Sequence, residues 1–152
     1  MKFVIKILHL NMVLWIDTNI ILDVLEIRQP YFQDSSMIWK LCETGLAKGY
    51  ISTLSFANLV YILRKELSSE QVEDVLSKLS LIFNFADLKY EDINKASHMK
   101  WKDFEDAVQV CSASRVHADF IITRNIKDFE NNLVSPIEPH VFLFRFWNHR
   151  YM

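Results

Sequence analysis

Glycine and proline are scarce in this chain of 152 residues, at 2 and 3 copies, so long flexible linkers are not expected. No internal repeat or low-complexity tract interrupts it either, and the length suits one domain. Cysteine is as sparse. Cys42 and Cys111 lack the spacing of a zinc site or redox pair, and two are too few for a disulfide scaffold. Both fall in apolar helical patterns and read as small buried hydrophobes in a reducing compartment. No run reaches the roughly 18 apolar residues that cross a bilayer. An excess of basic charge is missing too: the net charge is −2, which argues against a general polyanion binder. Any contact with nucleic acid must then come from a local patch, a metal or a partner.

What is present is apolar and aromatic. A hydrophobic content of 51% excludes a disordered chain and supports a substantial core. The start, Met1-Lys2-Phe3-Val4-Ile5-Lys6-Ile7-Leu8, has the flavour of a signal peptide, but Lys6, His9 and Asn11 interrupt it and no small-residue cleavage site precedes the domain. The expectation is a cytoplasmic protein with no membrane segment. Residues 1–11 are read as an N-terminal extension or the start of the first strand, with Met12 as an alternative start, and residues 12–152 as a single domain.

Along the chain, short apolar runs alternate with helical spacings. Met12 to Ile16 reads as a strand buried on both faces, followed by a helix through Ile20, Ile21, Val24 and Leu25. A break at Pro30 precedes a helix over Ser35 to Thr44, which Gly45 closes. Gly49 to Ser52 predicts a second strand, and Ser55 reads as the cap of a helix carrying Leu59, Ile62 and Leu63. Ser68 and Gln71 form a capping-box pair ahead of Val72, Val75, Leu76 and Leu79. A third strand is expected over Leu81 to Phe85, helices over Tyr90 to Met99 and Asp103 to Ser114, and a fourth strand over Asp119 to Ile122. The tail is ambiguous: Pro139 can open a short helix, and Val141 to Phe146 equally suits a buried strand. The alternation calls for a parallel sheet with helices on both faces.

Four segments place acidic or amide side chains where strands hand over to helices: Trp15-Ile16-Asp17-Thr18-Asn19, Phe56-Ala57-Asn58, Asp103-Phe104-Glu105-Asp106-Ala107 and Thr123 to Phe129. In an alternating α/β chain, the carboxyl ends of parallel strands converge on one crevice. Carboxylates gathered there repel one another unless a cation lies between them, which points to a divalent metal and to phosphodiester hydrolysis. Singly, each is ordinary. Asp17-Thr18 alone is a helix cap, and Asp106 alone complements a helix dipole. Taken in order they favour the metal site.

With these residues in hand, the chain resembles the PIN-domain family from about Met12 to Pro136, through Ile16-Asp17-Thr18-Asn19-Ile20-Ile21-Leu22-Asp23, Ile51-Ser52 with Leu59 and Leu63, Asp103 to Ala107, and Thr123-Arg124-Asn125 with Asp128-Phe129. The resemblance implies a three-layer α/β/α sandwich around a central parallel sheet. It also implies a Mg2+- or Mn2+-dependent endoribonuclease acting, as many small members of the family do, as the toxin of a toxin–antitoxin pair of VapC type, with RNA as substrate and an antitoxin protein as partner. Residue by residue, Asp17, Asp106 and Asp128 match the acidic metal ligands. Thr18, Asn19, Thr123 and Asn125 match supporting polar positions. Asn58 stands where the family usually has a glutamate, and Asp103, one turn before Asp106, is the candidate to compensate. Arg124 and Lys127 are the cations expected to meet the scissile phosphate. Asp23 is expected not to reach the site, and Glu105 to point elsewhere.

Asn58 keeps a second reading in view, a PIN-like module that has lost catalysis and binds RNA or protein. A phosphatase-like hydrolase is a third, disfavoured by Asn19 standing where a second acid belongs. His98, His117, His140 and His149 lack ligand spacing. Trp39, Trp101 and Trp147 read as core or interface before base platforms, and Arg145, His149 and Arg150 as a solvated basic tail. The apolar run Val141 to Phe146 predicts an interface, most simply a homodimer.

Overall fold

The computed structural model describes residues 12–131 and 133–147. The expected extension over residues 1–11 and the tail residues His149 and Arg150 lie outside the described residues.

Five strands, β1 (Met12–Ile16), β2 (Ala47–Ser52), β3 (Asn84–Ala86), β4 (Phe120–Ile122) and β5 (Ser135–Ile137), form one sheet in the order β3-β2-β1-β4-β5. Every neighbouring pair is parallel. The helices are α1 (Thr18–Leu25), α2 (Phe32–Glu43), α3 (Thr53–Leu63), α4 (Ser69–Ile82), α5 (Tyr90–Met99), α6 (Phe104–Arg115) and α7 (Pro139–Phe146).

The alternation of side chains along a strand builds the layers. Leu14 and Ile16 of β1, with Ile122 of β4, enter one core shared with α1 to α4 and α7. Trp15 and Ile121 point the other way, into a core with Val110 and Ala113 of α6. Helix α5 packs on α6 through Ala96, Ala107, Val108 and Cys111, and Arg115 clamps the pair by donating to Asp92 at 3.0 Å. The result is the expected three-layer α/β/α sandwich. Both cysteines are buried and free. Among the described residues, no helix is long and apolar enough to cross a membrane.

Local signals explain most element ends. Gly45, just past α2, has φ +75°, the left-handed position that closes a helix. The Ser68–Gln71 capping box opens α4, with both reciprocal hydrogen bonds made. Gly49 lies where no side chain fits: a Cβ there would sit 2.7 Å from Cys42 Sγ.

Several expectations are corrected. The cap of α3 is Ser52, whose hydroxyl accepts from the Leu54 amide, while Ser55 is buried inside the helix. Leu81 and Ile82 are not strand: the helical spacing of Val72, Val75 and Leu79 carries α4 through Ile82, leaving Leu81 88% exposed on its outer side. β3 is correspondingly short. The tail is helical, with Pro139 in the first turn, and β5 precedes it as a strand that was not expected. Pro136 sits in β5, which tolerates it as an edge strand. Within α7, Phe142 and Leu143 are buried and Phe144 is exposed, so the apolar run mostly serves the chain's own core.

Candidate active site

The chain leaves β1 for β2 and β3 on one side, then returns to place β4 and β5 on the other. β1 and β4 therefore flank the switch point where open α/β sheets bind ligands, outside the carboxyl ends of the strands. Asp17 follows β1 directly and Thr123 follows β4. The ladder continues through both, since the Asp17 amide donates to Ile122 O (3.0 Å) and the Thr123 amide to Ile137 O (3.1 Å). That backbone pairing fixes where the two side chains emerge.

Thr123 Oγ1 donates to Asp17 Oδ2 at 2.8 Å and accepts from the Asn125 amide at 3.0 Å. Both side chains are buried, Thr123 completely. Burial pushes the Asp17 carboxyl up, opposed by the Thr123 hydroxyl, the Asn19 and Thr18 amides and the charge of Arg124. Thr18 and Asn19 occupy the first turn of α1, half-buried.

The acids of α6 come to the same edge. Asp103 caps the helix, its Oδ1 accepting from the Asp106 amide at 3.2 Å. Asp106 is held up at about 6, first by burial and then by the negative charges of Asp103, Asp128, Asp17 and Glu105. The charges of Asp17, Asp103 and Asp128 thus all bear on Asp106. Asp103, Asp106, Lys127 and Asp128 line a cleft of about 640 Å3 with Trp101 at its wall. Lys127 and Asp128 belong to a 3-10 turn, Ile126–Phe129, that the buried Phe129 anchors.

Two other expectations meet a different arrangement. Glu105 does not point away: its Oε1 accepts from Asn58 Nδ2 at 3.2 Å, joining α3 to α6. Asn58 and Glu105 are 47 positions apart, and only the docking of two helices at one sheet edge brings them together. Arg124 is engaged inward. Its Nε and Nη2 donate to Asp23 Oδ2 (3.1 Å) and Oδ1 (2.9 Å), and its guanidinium carbon lies 3.8 Å from the centre of the Tyr31 ring. Asp23 is fully buried and also accepts from Ser35 Oγ. Of the remaining singled-out residues, Trp39 packs edge-on against Phe83, Trp147 packs against the main core, and His98 Nδ1 lies 2.8 Å from Asn94 O.

Among the described residues, no three His, Cys, Asp or Glu side chains converge as a finished metal cage. The chemistry of the donor set nonetheless fits a hard divalent cation: every candidate is a carboxylate or amide oxygen, and their mutual repulsion at Asp106 is what such a charge relieves.

Comparison with known proteins bears on the fold. Among curated protein sequences none matches this one. Solved structures do. DNA-bound VapBC from Salmonella typhimurium superposes with a TM-score of 0.64 at 14% identity, covering 84% of this chain and 98% of that one. VapBC2 from Rickettsia felis bound to a promoter DNA fragment gives 0.62 at 18%, with the same coverages. Mycobacterium tuberculosis VapC20, a toxin that cleaves the sarcin–ricin loop, gives 0.60 at 10%, covering 81% and 99%. Identities this low speak for the fold alone. The sequence itself matches the PIN-domain family model over residues 13–127, from β1 into the turn that carries Asp128, and the chain therefore belongs to the PIN-domain family.

Proposed function

We propose that the protein is a metal-dependent endoribonuclease of PIN type, acting as the toxin of a toxin–antitoxin pair. The observation that carries this reading is the meeting of Asp103, Asp106 and Asp128 in one cleft, with the charge of Asp17 also felt at Asp106. The fold-level likeness to VapC20, named as a cleaving toxin, supports the reaction. Likeness to VapBC from two organisms supports an antitoxin partner.

Asp17, Asp106 and Asp128 are the residues that would hold Mg2+ or Mn2+, with Asp103 and the Asn58 carbonyl as further oxygens. When bound, such an ion supplies a more acidic water and a Lewis acid for the phosphate. Asp128, exposed at the cleft, orients the attacking water and accepts its proton. Thr123 favours the ionised form of Asp17 against the cost of its burial, and Asn125 holds Thr123. Lys127, at the cleft wall, meets the phosphate charge. Arg124, paired with Asp23, braces the loop that carries these residues. An RNA substrate places the protein in the cytoplasm. Homodimerisation is a further expectation, which sedimentation at high concentration checks.

Asn58 favours one rival, a PIN-like module that binds RNA or protein without cutting. RNA cleavage by the purified protein in Mg2+, Mn2+ or EDTA, run beside Asp106→Asn, separates them. Cleavage that EDTA and the substitution both abolish establishes the nuclease. No cleavage of any RNA and no metal binding by calorimetry overturns it in favour of the binding module.

A further inference from the structure

A second cleft, of about 340 Å3, opens on the same loop after β4 that contributes to the acidic one. Arg124 and Asn125 line it, where Lys127 and Asp128 line the other. Tyr31, Asp34, Glu138 and His140 complete the wall. Asn125 ties it to the acids, since its amide binds the same Thr123 oxygen that donates to Asp17.

The wall is built at a cost. Asp23 is fully buried, with one oxygen accepting from Arg124 and the other from both Arg124 and Ser35. Taking such a pair out of water is expensive, and apolar residues in the same volume commonly stabilise a fold as well or better. What the pair achieves here is orientation. It locks the guanidinium 3.8 Å from the Tyr31 ring centre, while Tyr31 stays 42% exposed at the cleft. Aromatic rings and guanidinium planes are the two surfaces on which proteins stack unpaired bases. The charges around this stack disfavour a phosphate, because Asp34 and Glu138 both line the cleft, and His140 Nδ1 lies 3.3 Å from Glu138. They suit N–H donors. Guanine alone among the four bases presents two adjacent donors, which match the two oxygens of a carboxylate.

We propose that this cleft is a nucleobase subsite, in which one base of the RNA strand stacks on the Tyr31–Arg124 pair beside the scissile phosphate. Asp34 and Glu138 select a base with adjacent donors, guanine above the rest. The choice of RNA as the ligand's source rests on the ribonuclease reading; the cleft chemistry does not.

The test uses amide NMR on the full metal-free chain, which reads binding without cleavage. GMP should shift the signals of Tyr31, Asp34 and Asn125 and bind at least about fivefold tighter than UMP, while inorganic phosphate leaves them in place. Tyr31→Leu and Asp34→Asn, at an exposed and a half-buried position, should each weaken GMP at least about fivefold, and in RNA digests they should flatten base preference while cleavage persists. Three results overturn the subsite: no response to any nucleotide, an equal response to phosphate, or variants that bind GMP as the parent does. A preference for UMP overturns the roles of Asp34 and Glu138. Nucleotide binding without cleavage of any RNA sinks the ribonuclease reading and leaves the subsite standing. Metal-dependent cleavage at unchanged positions in both variants does the reverse.

Discussion

The hydroxyl of Thr123 donates to the carboxylate of Asp17 over 2.8 Å, linking residues 106 positions apart. Thr123→Val removes that donor and keeps the shape. A buried carboxylate deprived of a hydrogen bond costs about 1–3 kcal/mol, which denaturant melts would read directly. Losing the hydroxyl that orients Asp17 should also lower metal-dependent cleavage by about tenfold, the scale on which partners of metal-binding side chains act. Thr123→Ser should restore both. A valine variant as stable and active as the parent would show that the contact does not matter.

Asp106 gives a pH prediction with a definite sign. Its carboxyl ionises at about 6 in the folded chain against an ordinary 3.8, first because it is buried and then because of its acidic neighbours. The folded state therefore holds the extra proton, and the stabilisation it brings is complete below 3.8 and lost as the pH rises through about 6. Asp106→Asn should flatten the stability profile across that window. At neutral pH without metal, the variant should be more stable than the parent by about 1 kcal/mol, once solvent screening is allowed for. Mg2+ should raise the melting temperature of the parent and not of the variant.

Arg124→Ala strands Asp23, which has no exposed surface. Breaking one side of a buried ion pair costs about 3–5 kcal/mol. Replacing both partners with leucine should recover most of that loss in equilibrium unfolding. If the single and double variants were equally unstable, the cost would lie in lost packing on Tyr31 and not in the unpaired charge.

Asn58→Glu would set a carboxylate where an amide now donates to Glu105 over 3.2 Å. The metal-free variant should melt about 2–5 °C lower through like-charge repulsion. Added Mn2+ should raise its melting temperature by more than it raises the parent's, and cleavage should increase. Calorimetry showing no tighter binding would remove Asn58 from the account of the metal site.

The sequence carried the sheet through its apolar runs. Met12 to Ile16 is legible because a strand covered on both faces admits no polar residue, and the Ser68–Gln71 pair announces its helix by spacing alone. β5 escaped notice because Pro136 argues against a strand anywhere but at an edge, and edge position is a property of the finished sheet. Ser52 and Ser55 are equally good caps on paper; the end of β2 decides between them. Placement of the acids at strand ends was readable from local pattern. The Asn58–Glu105 and Asp23–Arg124 contacts were not, since each joins residues distant in sequence that only tertiary docking aligns.

The adjacency of β1 and β4 also has a consequence in time. Asp17 lies near the start of the domain, and the hydroxyl that holds it follows a strand completed only at Ile122. During synthesis the chain displays its first acid long before it owns the second half of the cleft, and pairings of such long range are slow to form. On the proposed reading, the nascent toxin is harmless to the RNA of the ribosome that makes it until almost the whole domain has emerged, so that any partner made beforehand has that interval in which to meet it.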